Sequence, residues 1–527
     1  MFSPTLKQVP FHLTTRHAKQ RLTLTIVFHP DLSRIGQQCQ PETSSIEISR
    51  LFPLFGNSID DPNPRPLSDP FLSRTPLRLI KKHKNWLWSS GQSPIQLSTT
   101  TSVSVDELAM STKDLQRGVT VILASRIVLL CHFTTHTNVE FRDNLGLIGV
   151  SDNLKRVRNL ICKVSSLKTP VLIRGDSGTG KELIARAIHN TGTKKAGKLV
   201  SVNIAAVPKE LVASELFGSV KGAFTGATNR KGCFLEANDG SLFLDEIGEA
   251  SGEVQVALLR ALETGVVQPV GSDKELELNT RIIAATDADL ESLIGQESFK
   301  MPLLQRLSGL VIDVAPLNER RADIGCLLAH FLMDALVKTG QVEKIVDPEP
   351  QHFNFWAWFF AQCSDMPWPG NVRQLKNITT QLSVQLMSCN TLDAFGWLEF
   401  CANLHAQHAQ HASAMQSNNP KNIETSSQVE KLPRRKPRDV SDEEILRALK
   451  KHKWQIKLAA SALNISRAAL YQRIDSNPSI RRAGKISTDE LHSSYLDCDG
   501  NVDRMVNKLH VSKQALKRRL IEIGLAG

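Results

Sequence analysis

The octapeptide Gly175-Asp176-Ser177-Gly178-Thr179-Gly180-Lys181-Glu182 decides the fold of the central part of this chain. The apolar run Val171-Leu172-Ile173 precedes it and the amphipathic run Leu183 to Ile188 follows it, which predicts a strand, a glycine-rich turn and a helix. Glycines let backbone N–H groups turn toward an anion, and a helix N-terminus adds positive charge. The octapeptide therefore predicts a nucleotide-phosphate site in which Lys181 reaches the terminal phosphates.

The last residue of the octapeptide departs from the usual pattern G-x-x-x-x-G-K-[ST], because Glu182 stands where Ser or Thr would hold magnesium. The metal must then be held mainly elsewhere. A buried strand, Gly240 to Glu246, ends in two acids. Asp245 can hold Mg²⁺ through water, and Glu246 can orient a water that attacks the γ-phosphate. These residues predict ATP and Mg²⁺ as cofactors, although two acids at a strand end can also form a simple turn.

Length and composition limit the remaining possibilities. A chain of 527 residues is too long for one core and predicts three or four domains, and its 41% hydrophobic content is typical of soluble proteins. The longest apolar stretch, Val119 to Phe133, is broken by Arg126 and is too short to span a bilayer. We therefore expect a cytoplasmic protein without a membrane partner. Nine scattered cysteines without a C-x-x-C pair favour reduced thiols.

The pattern of elements predicts a multidomain chain. Short apolar runs between Pro/Ser/Asp-rich segments predict an N-terminal β-sandwich over residues 1–135. From Ile148 onward strands alternate with helices, which predicts a doubly wound α/β domain. The aromatic run Phe353 to Phe360 is expected to pack in the core of the helices that follow.

The hexapeptide Gly222-Ala223-Phe224-Thr225-Gly226-Ala227 is the most specific motif. Small residues around one aromatic side chain predict a mobile loop tip that inserts into a partner, and the alternative is an ordinary hairpin turn. The hexapeptide is the signature of the AAA+ activators of sigma-54 RNA polymerase, the bacterial enhancer-binding proteins, which this chain resembles over residues 145–400. That family also has Glu at the position of Glu182.

The resemblance implies an AAA+ ATPase domain with a helical lid over residues 143–401, active as a ring that is hexameric in this family. It implies that Asn203 links Glu246 to the loop, that Arg306 reaches the γ-phosphate of a neighbouring subunit, and that Arg373 acts from the lid. Three positions depart from the family pattern. They are Asp287, Lys300 and Asn318, where the family has Asn, Arg and often Arg. A lysine keeps the charge of an arginine without its planar fork.

Two segments of the N-terminal region, Ile48 to Arg50 and Pro66 to Arg74, resemble the loops of forkhead-associated (FHA) domains. The resemblance implies phosphothreonine recognition by Arg50, Ser73 and Arg74, because arginine forks and a hydroxyl suit phosphate. The usual later histidine is Pro76 and no clear Asn-Gly follows. The alternative is a sandwich that serves only in contacts between domains.

Residues 402–440 are rich in Ala, Gln, His, Ser and Asn, which predicts a linker. His405, His408 and His411 are spaced by three and fit a polar linker helix better than a metal site. The net charge is +11, and residues 431–485 hold 15 Lys/Arg against 5 Asp/Glu, an excess of +10. A basic segment beside a helical module indicates nucleic-acid binding, with a solvated linker face as the alternative.

Two helical units follow over residues 441–525 and repeat with an offset of 46, so that Leu463 and Ser466 correspond to Leu509 and Ser512. A helix, a short turn and a serine N-cap are typical of helix-turn-helix units. The units resemble the Fis-type DNA-binding domain of sigma-54 activators, which normally occurs once. Candidate DNA contacts are Arg467, Tyr471, Gln472 and Arg473 in the first unit, and Lys513, Gln514, Lys517 and Arg518 in the second. The second unit could instead serve dimerisation or packing.

Together these features predict a sigma-54-dependent transcription activator that hydrolyses ATP. Its expected partners are upstream DNA, sigma-54 RNA polymerase, further copies of itself and, where FHA-type binding is retained, a phosphothreonine protein. The alternative is a DNA-binding regulator or scaffold with a degenerate ATPase, which the three departures from the family pattern favour. The hexapeptide and the tandem DNA units disfavour a generic AAA+ chaperone.

Overall fold

The structure is a computed structural model of the chain. It describes residues 20–387 with gaps at 42, 58–60, 84, 90–94, 98–103, 106, 136–143, 224–227 and 350–351. Beyond residue 387 it describes residues 488–498 and the single positions 444, 445, 447, 463, 470, 505, 508, 509, 516, 519 and 520. Residues 1–419 form one compact unit and residues 420–527 a second one.

The N-terminal region consists of two antiparallel sheets. Its strands are β1 Gln20–Phe28, β2 Gln38–Cys39, β3 Ser45–Ile48, β4 Leu77–Lys82, β5 Asn85–Ser89, β6 Ile95–Leu97, β7 Ser104–Val105, β8 Glu107–Met110, β9 Val119–Leu123 and β10 Ile127–Thr135, with one helix, α1 Thr112–Arg117. The sheet orders are β2-β1-β10-β9-β6-β7 and β3-β4-β5-β8. Inward-facing residues of both sheets, such as Leu24, Leu79 and Trp88, form the core between them, as in a β-sandwich.

Strand β1 is buried on both faces. Leu22, Leu24 and Ile26 point into the sandwich core. The alternating threonines also lie buried, and Thr23 shares a 2.6 Å hydrogen bond with Thr134. An exposed sheet face would leave such threonines in water. Their burial shows that other parts of the chain cover the outer face of this sheet.

The central region is a parallel α/β domain. Its main sheet contains β11 Val171–Arg174, β12 Leu199–Asn203, β15 Ser241–Asp245, β18 Arg281–Thr286 and β19 Leu310–Asp313, in the order β12-β15-β18-β11-β19. Two hairpins add β13 Gly218–Ser219 with β14 Arg230–Lys231, and β16 Val266–Val267 with β17 Leu276–Glu277. Helices are α2 Asp152–Ser165, α3 Lys181–Thr191, α4 Lys209–Phe217, α5 Cys233–Glu236, α6 Gly252–Thr264, α7 Leu290–Gly295 and α8 Met301–Leu307.

The strand order places β11 between β18 and β19, so the turn that follows β11 emerges inside the sheet and not at its rim. In open parallel sheets ligands bind at the carboxyl ends of the strands. The octapeptide therefore occupies the position at which an α/β sheet binds its ligand.

Residues 317–387, called the lid below, are helical. They contain α9 Ile324–Thr339, α10 Glu343–Val346, α11 Phe353–Asp365 and α12 Asn371–Met387. Trp356, Phe359 and Phe360 are fully buried, which confirms that the aromatic run packs in a core. That core also includes Val27 and Phe28 of β1. The rings of Phe28 and Phe360 lie 4.8 Å apart between centroids.

The predicted fold class is confirmed: antiparallel sheets come first, a parallel α/β domain with a helical lid follows, and the C-terminal region is helical. In the second unit, α13 covers Thr488–Asp497. Among the described residues no helix combines the length and apolar character needed to cross a bilayer. The exact domain boundaries stay predictions. The sequence did not anticipate the core shared by the N-terminal sheets and the lid.

Candidate nucleotide site and associated surfaces

The octapeptide forms a tight loop between β11 and α3. Gly175 and Gly178 have φ values of +157° and +77°, and a Cβ on them would lie 2.7 Å from the Val314 carbonyl oxygen and 2.6 Å from that of Gly370. Glycine is therefore required at both positions, because side chains would collide with backbone. Gly180 is the N-cap of α3 and brings no side chain to cap the helix, so the first N–H groups of α3 remain available to an anion.

Lys181 is the first residue of α3 and is only 7% exposed. Its ammonium group donates to the Gly175 carbonyl oxygen at 2.8 Å. A phosphate in the loop offers a stronger, charged acceptor for the same ammonium group. The loop therefore has the features of a phosphate site: helix N–H groups, glycines at sterically closed positions and a buried cation.

Two carboxyl groups follow at the end of the neighbouring strand. Asp245 is the last residue of β15, and burial raises its pKa although the nearby Lys181 ammonium lowers it. Glu246 has φ of +54°. Burial raises the pKa of Glu246 to about 7, and the hydrogen bond and charge of Asp287 contribute to the increase. Glu246 and Asp287 thus face each other closely enough to share a proton.

Asn203 lies opposite Asp245, because the two residues are register partners in β12 and β15. Its side-chain oxygen accepts from the Ala206 backbone N–H at 3.1 Å and caps a short 3-10 helix. Thr286 ends β18, and its hydroxyl accepts from the Ala288 N–H at 3.0 Å. The sheet therefore brings Asn203 beside the acids, while its proposed link to Glu246 stays a prediction.

The start of α12 contacts the octapeptide. Arg373 donates to the Ser177 hydroxyl at 3.2 Å, and the Val372 N–H donates to the Gly178 carbonyl oxygen at 3.0 Å. The Asn371 amide also donates to the Ser177 carbonyl oxygen at 3.0 Å. Arg373 is thus placed where it can add positive charge to a bound phosphate.

Arg320 was missed by the sequence analysis. It is 5% exposed and donates to the Thr179 carbonyl oxygen at 2.8 Å, so it connects the base of the lid to the phosphate loop. Its neighbour Arg321 points to the N-terminal sheets instead, and donates to the Gly118 carbonyl oxygen at 2.6 Å. Because Arg320 and Arg321 are adjacent, the local sequence gives no sign of which one contacts the phosphate loop and which one contacts the N-terminal sheets.

Arg306 and Lys300 lie apart from the loop, on α8 and at its N-cap. The Arg306 side chain is 58% exposed and pairs with Glu263 at 3.2 Å. The Lys300 side chain is exposed, and its backbone N–H donates to the Gln255 side chain at 2.8 Å. Both cations lie on the protein surface.

Only the base of the hexapeptide is described, since Phe224, Thr225, Gly226 and Ala227 lie outside the described residues. Gly222 has φ of +93°, and the Ala223 N–H donates to the Val220 carbonyl oxygen at 3.2 Å. A Cβ on Gly271, in the turn between β16 and β17, would lie 2.6 Å from the Ala223 Cβ. The second hairpin therefore supports the base of the loop, a contact that the sequence analysis missed.

The three candidate phosphopeptide residues lie on neighbouring loops of the sandwich. The Arg50 N–H donates to the Ser73 carbonyl oxygen at 3.2 Å, and the Ser73 hydroxyl accepts from the Thr75 N–H at 3.0 Å. Arg74 is exposed. Among the described residues neither the Arg50 nor the Arg74 guanidinium group has an ion-pair partner.

The candidate DNA contacts of both C-terminal units lie outside the described residues, as do the three linker histidines. In the part of the chain that the structure describes, no cluster of three or more His, Cys, Asp or Glu side chains could hold a metal ion by itself. A magnesium ion at Asp245 would therefore need oxygen ligands from a nucleotide and from water, which Mg²⁺ commonly uses.

The parallel sheet, the glycine-rich loop with its lysine, the acids at the next strand end and the lid arginine define a P-loop ATPase domain of the AAA+ class. Residues 147–313 match the family model of the sigma-54 interaction domain, and residues 436–476 match that of bacterial regulatory proteins of the Fis family. These matches confirm the sigma-54 resemblance over residues 147–313 and the Fis resemblance for the first C-terminal unit. The Fis resemblance of the second unit stays a prediction. The FHA resemblance stays a prediction.

Similar proteins include regulators from several bacteria. The DNA-binding transcriptional regulator NtrC of Azospirillum brasilense is 41% identical over 245 residues, which are 46% of this chain and 49% of that protein. The Nif-specific regulatory protein of Klebsiella pneumoniae is 43% identical over 240 residues, 45% of this chain and 44% of that protein. A crystal structure of NtrX from Brucella abortus in complex with ATP is 26% identical with a TM-score of 0.43, and the match covers 63% of this chain and 69% of that one. The chain spans about half the length of the curated relatives that it matches.

Proposed function

We propose that the protein is a sigma-54-dependent transcription regulator of the cytoplasm. It binds upstream DNA, hydrolyses ATP in a ring of subunits and remodels sigma-54 RNA polymerase so that the promoter opens. The observation that supports this most directly is the convergence of Lys181, Asp245, Glu246 and Arg373 on one glycine-rich loop, inside the segment that matches the sigma-54 interaction domain.

Each residue around the loop has a distinct task with ATP. The N–H groups at the start of α3 and the Lys181 ammonium bind the phosphates, and Arg373 adds charge from the lid. Asp245 would hold Mg²⁺ through water, and the ion would neutralise negative charge on the phosphate oxygens. Glu246 accepts a hydrogen bond from the attacking water, which requires its ionised form.

A ring explains the position of Arg306. Its guanidinium group is exposed and lies beside Glu263, a position from which a neighbouring subunit could be reached. We propose a hexamer in which Arg306 approaches the neighbour's γ-phosphate and stabilises the charge that develops there.

Hydrolysis must then move the hexapeptide loop. Asn203 lies opposite Asp245 in the sheet, so it is next to the acids that lose their phosphate partner when the γ-phosphate leaves. We propose that this change is passed on to the loop, whose base leans on Gly271 of the second hairpin. The tip, with Phe224 and Thr225, then contacts sigma-54.

The flanking regions supply targeting and signal. The first C-terminal unit, with Arg467, Tyr471, Gln472 and Arg473, is proposed as the main DNA reader because it lies within the basic segment; Lys513 and Lys517 of the second unit would add phosphate contacts. At the other end, Arg50, Ser73 and Arg74 would bind a phosphothreonine of a partner protein.

A second candidate is a DNA-binding scaffold whose ATPase has decayed. The observation that favours it is the contact between Glu246 and Asp287, since the raised pKa of Glu246, about 7, leaves part of the protein without an ionised base at neutral pH.

Two assays on the purified full-length protein separate these candidates. The first is ATP turnover, which we expect in the parent and not in Glu246→Ala; absence of turnover in the parent would favour the scaffold. The second is promoter opening by sigma-54 polymerase. Thr225→Ala should keep ATP turnover and lose opening, while Thr228→Ala, just outside the hexapeptide, should keep both. Equal opening by the two threonine variants would contradict the role of the loop.

A further inference from the structure

The N-terminal sandwich shares a hydrophobic core with the lid and not only a surface contact. Val27 and Phe28 of β1 and Val128 and Leu130 of β10 are at most 1% exposed and pack with lid residues in one cluster. On the lid side, a Cβ on Gly325 would lie 2.5 Å from the Val27 carbonyl oxygen and 2.9 Å from its Cα. The backbone of α9 therefore lies directly against the backbone of β1. At this point of the sandwich–lid interface, called the lid seam below, the two elements cannot slide past each other.

Polar contacts strengthen the same seam. Arg321 donates to the carbonyl oxygens of Arg117 and Gly118 at 2.9 and 2.6 Å and to the Thr120 hydroxyl at 3.0 Å. The Thr120 hydroxyl in turn donates to Asp365 of α11 at 2.9 Å. Buried, charge-assisted hydrogen bonds of this kind hold two elements in one relative orientation.

A further junction joins the sandwich loops to α11. The Arg126 guanidinium lies 4.1 Å from the ring centre of Phe353, the first residue of α11, and 4.4 Å from that of Phe71. Arg126 also pairs with Asp69 at 3.1 Å. Phe71 and Asp69 belong to the loop that ends in Ser73 and Arg74, so the candidate phosphopeptide loop is itself tied to the lid.

The contact between the sandwich and α2 has a different character. The Thr135 N–H and hydroxyl both donate to Asp152 at 2.6 and 2.9 Å, and Lys155 donates to the Gln38 side chain at 3.1 Å. A cavity of about 630 Å³ opens where the sandwich, α2 and the lid meet, and its lining includes Thr135, Asp152 and Arg321. The contacts of this joint are polar and partly buried, whereas buried apolar side chains form most of the interface between the sandwich and the lid. The joint can therefore separate at lower cost than that interface.

We propose that the sandwich and the lid move as one body on the α/β domain, and that the Thr135–Asp152 contact is a latch that helps to hold this body over the nucleotide loop, next to the bonds that Val150 and Ser151 donate to Asp323 of the lid. In the described part of the chain, the lid reaches the loop through four hydrogen bonds, among them the bond from the Val372 N–H to the Gly178 carbonyl oxygen. We expect nucleotide release to require that these bonds open. The latch therefore slows release, and a partner that pulls on the sandwich speeds it.

The first test measures the release of a fluorescent ADP analogue from the full-length protein by stopped flow. Asp152→Ala removes the acceptor of both bonds, and we expect release to become about tenfold faster, which corresponds to about 1.4 kcal/mol for the two bonds together. Thr135→Val removes one bond and should give a smaller increase. Glu253→Ala is the matched control, because Glu253 is likewise an acidic residue in the first turn of a helix, α6, which belongs to the α/β domain. An increase no larger than that of the control would overturn the proposal.

The second test needs no nucleotide and rests on hydrogen exchange of the Val372 amide. Exchange should accelerate in Asp152→Ala by a similar factor and stay at the parental rate in Glu253→Ala. Equal exchange in both variants would refute the latch. If ADP fails to bind while Val372 exchange accelerates, the latch stands and the proposed ATPase function falls, so the two failures are distinguishable.

Discussion

Substituting Gly325 by alanine tests whether the sandwich sits directly on α9. Alanine is favoured over glycine within a helix by about 1 kcal/mol, so propensity alone predicts a more stable protein. The added Cβ would lie 2.5 Å from the Val27 carbonyl oxygen, and overpacking against backbone that cannot rotate away costs about 1–3 kcal/mol. We therefore expect a net loss of up to about 2 kcal/mol, and a loss of about 1–3 kcal/mol relative to a glycine-to-alanine change that meets no clash.

The assay is thermal unfolding of the full-length protein by calorimetry. Because the first unit is large, a loss of this size lowers its midpoint by only about 2 °C. Gly295→Ala is the control, since Gly295 is also in a helix and a Cβ there would meet nothing within 4 Å. It should unfold at the parental temperature or slightly above it. The interface is refuted if Gly325→Ala is as stable as Gly295→Ala.

Three further outcomes are expected. Asp287→Asn should raise ATP turnover at pH 6.5 relative to pH 8 several-fold, because it removes a carboxyl that raises the pKa of Glu246; an unchanged pH–rate profile contradicts this. Arg126→Lys should cost about 1–2 kcal/mol in denaturant unfolding, since lysine lacks the planar group that stacks between two rings. Burial lowers the pKa of His132 to about 4, so the unfolded chain binds the extra proton and stability should fall from pH 6.5 toward pH 4; His132→Gln should flatten that slope.

The arrangement of the candidate nucleotide site could be predicted from the sequence because its signals are local. Gly175 to Lys181 form one continuous turn, and Asp245 and Glu246 end one continuous apolar strand, so the chain sequence itself places each group on its element. Arg373 was identified only through the family resemblance. The roles of Arg320 and Asn371 were missed, since they depend on how the base of the lid folds back on the loop.

The sequence could not predict that the sandwich and the lid share a hydrophobic core, because the residues that form this core stand in no distinctive sequence motif. Val27 and Phe28 extend β1 as any apolar pair would, and Gly325 resembles an ordinary helical glycine. The alternation of leucine and threonine in β1 predicts one buried face, and only the packing of the lid buries the other. Long-range packing of this kind depends on the complementarity of two surfaces that are about 300 residues apart in the sequence.

The core shared by Phe28 and Phe360 limits where the protein can be truncated and which of its regions can be exchanged. A fragment that begins at residue 143 would present the covered side of α9 and α11 to water, and we expect it to aggregate when it is expressed alone. Exchange of the first 135 residues for an unrelated sensor would have the same effect unless both helices were redesigned. Separating the N-terminal sandwich from the rest of the chain, at the boundary that the sequence suggests, would therefore divide one folding unit in two.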